Sequence, residues 1–236
     1  MKKVLKIALR VVLILLGLVV LVTGFFAIKG AVLWSNSKKE LSITQAAQDI
    51  RSDEEFTKYE DLPEFYIDAV ISVEDRKFFK HNGISLKSII RAAFYDIKTK
   101  SLEQGGSTIT QQLAKNVWFS EEKRLERKFA EVWAAFDLER ELSKNEIFEL
   151  YVNTIYFGSG YYGISEAARG YFDKEPSELS EYECAMLAGL PNAPSVYSLD
   201  ESPELARQRA EQVLQAMRDN GKLSEEEEQA ILEQAG

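Results

Sequence analysis

An apolar run near the N-terminus constrains this chain more than any other feature. Val11 to Ile28 contains 18 residues without a charge, and the run extends to Trp34 if the side chain of Lys29 snorkels. At 1.5 Å per residue, a helix over this run is about 27 Å long, which is close to the thickness of the hydrocarbon core of a bilayer. The run therefore predicts a transmembrane helix.

The residues before this run predict its orientation. Four cations precede it: Lys2, Lys3, Lys6 and Arg10. They place the N-terminus in the cytoplasm and the rest of the chain outside. A cleaved signal peptide is the alternative, but the run is long and no clear Ala-x-Ala site follows it. We therefore divide the chain into a cytoplasmic basic tail (1–10), a transmembrane signal anchor (11–34), a juxtamembrane linker (35–60) and one globular domain (61–236).

Charge is unevenly distributed along the chain, whose formal net charge is −9. Residues 72–128 carry +5, whereas residues 129–236 carry −14. We exclude nucleic acid as a partner because no basic stripe with interleaved aromatic residues is present. An anionic ligand at a lipid surface suits the basic stretch better. The single cysteine, Cys184, allows no internal disulfide and lies in an apolar run, so we expect it to be buried.

Helical spacing and helix caps recur along the chain, whereas alternating strand patterns are scarce. Ser143, Ser180 and Ser224 each begin a capping box with a glutamate three residues later. The predicted fold class is mainly α. The connection 98–106 is a candidate mobile loop over a site. Helices are predicted near 63–80, 86–99, 108–118, 122–141, 144–155, 164–171, 181–189 and 203–220.

A glycine pair precedes the helix predicted at 108–118. Gly105 and Gly106 allow a ligand to approach the backbone closely, and free N–H groups at the start of a helix favour an anion such as phosphate. One face of this helix then carries a hydroxyl, two amides and a cation: Thr108, Gln111, Gln112 and Lys115. Such a face suits a sugar phosphate better than a protein core.

A glutamate, Glu74, interrupts the apolar face of the first helix predicted in the domain. The other members of that face are Ile67, Val70, Ile71 and Phe78. Partial burial raises the pKa of a carboxyl group toward the range of a general base, and a buried structural glutamate is the alternative. Asp75 belongs to a polar stripe and is expected to be solvated or structural. His81, near the end of this helix, has a position more often structural than catalytic.

Arg127 and Glu131 lie four residues apart in the helix predicted at 122–141. By spacing alone, an exposed ion pair on the helix surface is the ordinary interpretation. Lys123 and Arg124 precede the pair and complete a cluster of cations around a carboxylate. The opposite face is expected to be ordinary core and carries Leu125, Phe129, Val132 and Phe136.

These segments resemble the motifs of the family 51 peptidoglycan glycosyltransferases. Residues 74–83, with the sequence EDRKFFKHNG, are similar to the first motif, residues 105–116 to the second and residues 127–131 to the third. Residues 144–158 resemble the fourth motif and residues 187–194 a later segment. The match covers roughly residues 60–200, in the family's order. Since about forty residues follow the last segment, the chain resembles the monofunctional branch, and no transpeptidase activity is expected.

The resemblance implies a lysozyme-like helical domain with a small membrane-proximal lobe. It also implies polymerisation of lipid II, a disaccharide pentapeptide on undecaprenyl pyrophosphate. Glu74 would be the general base toward the acceptor's 4-hydroxyl, and Glu131 would order the cations or help to hold a metal. Contacts to pyrophosphate or glycan are expected from Lys115, Arg127, Lys123 or Arg124, Arg91, Gln111, Gln112, Ser107 and Thr108. Supporting roles are expected for Asp75, Phe78, His81, Gly105, Gly106 and Asn153.

The implied partners are lipid II, the growing lipid-linked glycan chain, the bacterial inner membrane and other cell-wall synthesis proteins. Metal dependence stays open, and any cation would be Mg²⁺ or Mn²⁺ between the pyrophosphate and a carboxylate, that of Glu131 or Glu74. Two rival functions also stay open. One is a lysozyme-like or lytic enzyme that cleaves glycan. The other is a membrane-anchored scaffold whose site is inactive.

Overall fold

The computed structural model of the chain describes residues 2–85, 106–119 and 124–234. Within these ranges the fold is mainly α, as predicted. The α-helices are α1 Lys2–Glu40, α2 Ile43–Arg51, α3 Glu64–Glu74, α4 Ile109–Trp118, α5 Leu125–Glu141, α6 Lys144–Val152, α7 Ile164–Phe172, α8 Glu181–Gly189, α9 Pro194–Tyr197, α10 Pro203–Asp219 and α11 Glu225–Gln234. Short 3₁₀ turns lie at Tyr59–Asp61, Phe78–Lys80, Pro176–Glu178 and Leu190–Asn192.

Helix α1 is long enough and apolar enough to cross a membrane. The side chains of its apolar run are exposed on the protein, as contact with lipid requires. The helix does not end where the apolar run ends. It continues to Glu40 and packs along α5, where Lys38 forms ion pairs of 3.0 Å with Asp137 and 2.6 Å with Glu141. Nearer the apolar run, Lys29 forms a 3.0 Å ion pair with Glu126 at the start of α5, so the second half of α1 lies along α5 from one end to the other.

The segment 35–60, which the sequence pattern assigns to a linker, contains the end of α1 and the whole of α2. Ser42 caps α2 by accepting a hydrogen bond from the backbone N–H of Gln45, and Ile43 is buried in the core. Arg51 forms ion pairs with Glu146 and Glu149 of α6 at 3.1 and 3.0 Å. A nine-residue helix is marginal alone, so its tertiary contacts stabilise it, and these contacts are not visible in the local sequence.

The core of the domain lies between two groups of helices. Helices α3, α8 and α10 pack against one another, and α4 packs on α5 and α6. Helix α8 is buried along most of its length, and Cys184 is fully buried within it, as predicted. Burial raises the pKa of the Cys184 thiol to about 12, so this thiol is inert at neutral pH.

A small antiparallel hairpin follows α6. Strand β1, Tyr156–Gly158, pairs with β2, Tyr161–Tyr162. Ser159 and Gly160 between them both have positive φ, of 52° and 89°, as a tight hairpin turn requires. The sequence pattern leaves this segment as a connection because strands of two and three residues are too short for alternation to be recognised.

Several predicted helix boundaries move in the structure. The helix predicted at 63–80 ends at Glu74, the one predicted at 144–155 ends at Val152, and α5 begins at Leu125. The capping boxes at Ser143 and Ser180 are present, and Ser224 and Glu227 exchange the same pair of hydrogen bonds before α11. The helix predicted at 86–99, and the loop 98–106 except for Gly106, lie outside the described residues.

Candidate active site

Glu74 is the last residue of α3. The helix stops there because Asp75 leaves the helical conformation, with φ −153° and ψ 81°. The carboxylate of Glu74 is partly exposed, and its Oε2 accepts a 2.7 Å hydrogen bond from Nε2 of Gln112 on α4. The end of one helix and the first turns of another therefore bring these two side chains together.

The surroundings of Glu74 raise the pKa of its carboxyl group, as the sequence predicts. Desolvation is the main cause, and the negative charge of Asp75 adds to it. The hydrogen bond from Gln112 and the positive charge of Arg209 act in the opposite direction. A carboxylate with a raised pKa is a stronger base than an ordinary glutamate, which suits the role of a general base.

Two buried tyrosines lie near Glu74. Burial and the charge of Glu74 hold the pKa of both Tyr66 and Tyr151 well above the usual range, so both phenols are neutral. The hydroxyl of Tyr151 donates a long hydrogen bond of 3.5 Å to Oε1 of Gln112. The amide of Gln112 therefore contacts Glu74 through its nitrogen and Tyr151 through its oxygen, and these two contacts fix its orientation.

Asp75 is buried, so the solvated alternative for this residue is wrong. Its Oδ2 lies 2.7 Å from Nε2 of His81 and accepts a 3.3 Å hydrogen bond from the backbone N–H of Ile109. Asp75 therefore joins the end of α3 to the start of α4. His81 supports that link, and Nδ1 of its ring has no hydrogen-bond partner among the described residues.

Three N–H groups at the start of α4, those of Thr108, Ile109 and Gln111, already have acceptors within the protein. Thr108 Oγ1 accepts from the N–H of Gln111, whose side chain accepts from the N–H of Thr108, so the two residues form a capping box. Thr108 also donates through its hydroxyl to the carbonyl oxygen of Gly83 at 2.6 Å. Both side chains are buried. Thr108 and Gln111 therefore hold the helix terminus in place, and a contact of either side chain with substrate stays a prediction.

The cleft-facing side of α4 begins about one helical turn later than the predicted face and shares Gln112 and Lys115 with it. Gln112, Lys115 and Asn116 line a cavity of about 450 Å³, together with Phe119. Across the cavity, the hairpin and the segment before α9 contribute residues that the sequence analysis missed as site residues: Thr154, Ile155, Tyr156, Tyr162, Pro191, Asn192 and Pro194. The tyrosine- and glycine-rich composition of 156–163 was the available signal, because loops of this kind often carry binding residues.

Glu131 is buried in α5, with a side chain only 2% exposed. Arg127 Nε lies 3.2 Å from its Oε1, and Lys128 Nζ lies 2.6 Å from its Oε2. The interpretation of Arg127 and Glu131 as an exposed surface pair is therefore wrong. Lys128, which the sequence analysis did not single out, also donates to Ser107 Oγ at 2.6 Å. Ser107, which belongs to the second motif segment (105–116), therefore contacts the cations around Glu131 through Lys128.

The apolar stripe of α5 is not core, contrary to expectation. Leu125 and Phe136 are exposed, and Phe129 stacks on Phe26 of α1. The core face of α5 is instead formed by Ala130, Glu131, Ala134, Ala135 and Leu138. Apolar residues outside the core are explained by their position beside a helix able to span a membrane, where lipid replaces water.

The remaining predicted site residues fall into three groups. Phe78 is fully buried against Phe148, and the amide of Asn153 exchanges 2.8 Å hydrogen bonds with the backbone of Thr57. These contacts are structural. Arg124 is exposed immediately before α5 and lines a second cavity beside α1. Arg91, Gly105 and Lys123 lie outside the described residues.

The described side chains offer no metal site made by the protein alone. Among residues 2–85, 106–119 and 124–234, no three His, Cys, Asp or Glu side chains are grouped so that they could hold an ion. The oxygens of Glu131 already face Arg127 and Lys128, which compete with a cation. A divalent ion at Glu131 or Glu74 would need oxygen ligands from the substrate.

Glycan transfer requires a base beside a cleft wide enough for a sugar, and cations where a phosphate leaves. Glu74, the cleft and the Arg127 cluster offer groups of these kinds on a mainly helical domain. A family model described as Transglycosylase matches residues 39–218. The chain belongs to this family, which confirms the resemblance drawn from its motifs.

Three relatives, each from a different bacterium, are longer proteins to which this chain is similar over part of their length. The chain is 47% identical to penicillin-binding protein 1A of Neisseria gonorrhoeae over 163 residues. This aligned stretch covers 69% of the chain and 20% of that protein. Identity is 44% over 167 residues with penicillin-binding protein 1F of Bacillus subtilis, covering 71% of the chain and 23% of the relative. For penicillin-binding protein 1A of Aquifex aeolicus it is 45% over 177 residues, with coverages of 75% and 24%. The chain thus spans about a fifth to a quarter of these relatives.

Proposed function

We propose that this chain polymerises lipid II into the glycan strands of peptidoglycan. The observation that carries the proposal is the Glu74 carboxyl group, whose pKa is raised by desolvation. It is hydrogen-bonded by Gln112, and Gln112 lines the cleft together with Lys115. A base and a cation at one cleft are what transfer from a diphosphate to a hydroxyl needs.

Glu74 acts on the acceptor. Its carboxylate takes the proton of the 4-hydroxyl of lipid II while that oxygen attacks the anomeric carbon of the lipid-linked donor chain. The bond between the anomeric carbon and the diphosphate oxygen breaks, and the polyprenyl diphosphate leaves with the electron pair. Attack opposite an α-linked diphosphate gives a β-1,4 bond with inversion. Gln112 keeps the carboxylate oriented during the transfer.

The cations act on the leaving group. Lys115 in the cleft and Arg127 beside Glu131 stabilise the negative charge that develops on the departing diphosphate. Burial of Glu131 costs desolvation free energy, and its two ion pairs offset that cost while fixing the positions of Arg127 and Lys128. Arg124 or Lys123, and Arg91 on the acceptor side, remain predicted contacts of the same kind.

The membrane places the enzyme next to its substrate. Helix α1 crosses the bacterial inner membrane once, with its N-terminal cations in the cytoplasm and the catalytic domain outside. The lipid-linked donor and acceptor reside in the same membrane. Other proteins of cell-wall synthesis are the expected protein partners.

Two parallel incubations of the purified full chain test this function against its rivals. One contains lipid II and the other contains finished peptidoglycan, with wild-type lysozyme as the positive control for cleavage. Glycan polymer from lipid II is the expected result. Soluble muropeptides from peptidoglycan without polymer from lipid II would replace the proposal with a lytic enzyme, and no product in either incubation would favour an inactive scaffold. The cations favour synthesis, since hydrolysis of a glycan releases no diphosphate.

A further inference from the structure

Arg209 lies on α10, outside all the segments that carry the family resemblance, and its side chain is half-buried. Its Nε donates a 3.3 Å hydrogen bond to the carbonyl oxygen of Gly189, the last residue of α8. Its guanidinium carbon lies 5.9 Å from the centre of the ring of Tyr197, the last residue of α9. One side chain therefore contacts both ends of the segment 189–197, which we call the wall segment, and we call this pair of contacts the clamp.

The wall segment forms one side of the cleft. Pro191, Asn192 and Pro194 line the cleft across from Lys115 of α4. The segment consists of the end of α8, the 3₁₀ turn Leu190–Asn192 and the four-residue helix α9. Turns and helices this short are marginally stable alone, so contacts with the rest of the protein determine where the wall segment lies.

Two further contacts fix the side chain of Arg209. A Cβ atom at Gly189 would lie 2.7 Å from Cγ of Arg209, so the aliphatic part of Arg209 occupies the space that a side chain there would need. Nη1 of Arg209 donates a 3.0 Å hydrogen bond to Oε1 of Gln212, about one turn further along α10. The guanidinium group is therefore held from its own helix while it contacts the wall segment. A planar guanidinium suits this arrangement because it donates in several directions and stacks on an aromatic ring.

The charge of Arg209 also acts on the proposed base. Helix α10 packs against α3, whose last residue is Glu74. The positive charge of Arg209 lowers the pKa of the Glu74 carboxyl group and so opposes desolvation, the main cause of its raised value. Arg209 is not among the described residues that line the cleft. Its influence on transfer is therefore exerted through the wall segment and through Glu74, without contact with substrate.

We infer that Arg209 is a positioning residue for glycan transfer, because it holds the wall segment across from α4 and places a positive charge toward the base. This inference rests on the proposed function and adds a residue that none of the motif segments contains. The wall segment bounds the space in which the sugars lie, and Gln112 joins Glu74 to the same space. A displacement of about 1 Å in such a site lowers transfer by up to about 10²-fold, since the reacting atoms must be aligned.

Three variants test both parts of the inference. Arg209→Met removes the charge and the clamp, whereas Arg209→Lys keeps the charge without the planar guanidinium. Arg207→Met is the matched control, at an exposed position of the same helix. Polymerisation of lipid II by the full chain is measured across pH, with kcat and KM determined separately, and thermal unfolding checks that each variant is folded.

Arg209→Met is expected to lower kcat/KM by about tenfold or more, and the acidic limb of its profile should move to higher pH because the base loses a positive neighbour. Arg209→Lys should also lower kcat/KM but leave the acidic limb in place. Arg207→Met should match the wild type in both respects. An unchanged rate in Arg209→Met, or an equal loss in Arg207→Met, overturns the inference. A loss of rate in Arg209→Met with no shift of the acidic limb would make Arg209 a packing residue and overturns it as well.

Hydrogen exchange tests the clamp independently of activity. The backbone N–H groups of Ala193 and Tyr197 donate within the wall segment, to the carbonyl oxygens of Leu190 and Ala193. In Arg209→Met, peptides that cover 189–197 should exchange faster than in the wild type and in Arg207→Met, as measured by mass spectrometry on the full chain in lipid nanodiscs. Arg209→Lys serves for this comparison if Arg209→Met does not fold.

Equal exchange in all these proteins contradicts the clamp. If the wild type makes no polymer from lipid II, the proposed function fails, whereas faster exchange in the Arg209 variant still shows that Arg209 holds the wall segment. The failure of the clamp and the failure of the proposed function are therefore distinguishable.

Discussion

Nε2 of Gln112 donates a 2.7 Å hydrogen bond to Oε2 of Glu74, and the same side chain lines the cleft. One amide therefore joins the proposed base to the wall of the substrate site. Because this hydrogen bond lowers the pKa of a carboxyl group that desolvation raises, Gln112 also keeps Glu74 ionised at lower pH than burial alone would allow.

Loss of this amide should shift the pH dependence of polymerisation. In Gln112→Leu the pKa of Glu74 rises further, so the acidic limb of the kcat/KM profile is expected to move to higher pH. At neutral pH, kcat is expected to fall about tenfold or more because the base loses its orientation. Gln215→Leu, at an exposed position of α10, is the control. A profile of unchanged shape would show that Gln112 does not act on Glu74.

Desolvation of the Glu74 carboxyl group also predicts that its ionisation lowers the stability of the fold. Its pKa in the folded protein is raised above that in the unfolded chain, so ionisation destabilises the fold as pH rises through these two values. Glu74→Gln should therefore be as stable as the wild type or more stable, within about 1 kcal/mol, at neutral pH, and should lose this advantage in acid. Thermal unfolding at both pH values measures it. A clearly destabilised variant at neutral pH would indicate that the charge is structural.

Lys115 is the cleft cation that we expect to act on the departing diphosphate. Lys115→Ala should lower kcat by about 10²-fold, the usual effect of removing one group that stabilises transition-state charge. The control is Lys39→Ala, at an exposed position near the end of α1. Steady-state rates with lipid II measure both variants. Equal rates for Lys115→Ala and Lys39→Ala would remove Lys115 from the phosphate site.

Gly30 allows α1 to approach α5 closely. A Cβ atom at this position would lie 2.5 Å from Cβ of Phe129 and 2.7 Å from the backbone nitrogen of Ala130, so Gly30→Val must push the helices apart. We expect a loss of about 1–3 kcal/mol in stability and reduced polymerisation. Gly24→Val is the matched control, because no described atom lies within 4 Å of a Cβ there. Equal unfolding temperatures for the two variants would contradict this packing.

The local sequence predicts the features of the fold that depend on local chemistry. Helical periodicity and serine caps predict α6 and α8 closely, and the apolar face of α3 identifies Glu74 as the carboxylate at its edge. The features that depend on distant contacts are missed. Helix α2 is stabilised by packing, and the stripe beginning at Leu125 is exposed at Leu125 and Phe136 and contacts α1 through Phe129.

The candidate site shows the same division. Sequence resemblance identifies the segments, but it does not say which face of α4 is accessible. Thr108 and Gln111 use their polar groups to cap the helix. Asn116 and Tyr162 both line the cleft because α4 and the hairpin, which are distant in sequence, come together there. Polar residues at a helix start serve a cap or a ligand with the same chemistry, so only the tertiary structure separates the two roles.

The central claim is that Glu74 is the base of a glycan polymerase. The most direct test compares the rate of lipid II polymerisation by the wild type, Glu74→Gln and the exposed control Glu64→Gln at the start of α3. Glu74→Gln is expected to lower the rate by about 10²-fold or more, since a positioned base contributes about 10²–10⁴-fold, while Glu64→Gln remains near the wild type. Near-normal polymerisation by a folded Glu74→Gln variant would contradict the claim.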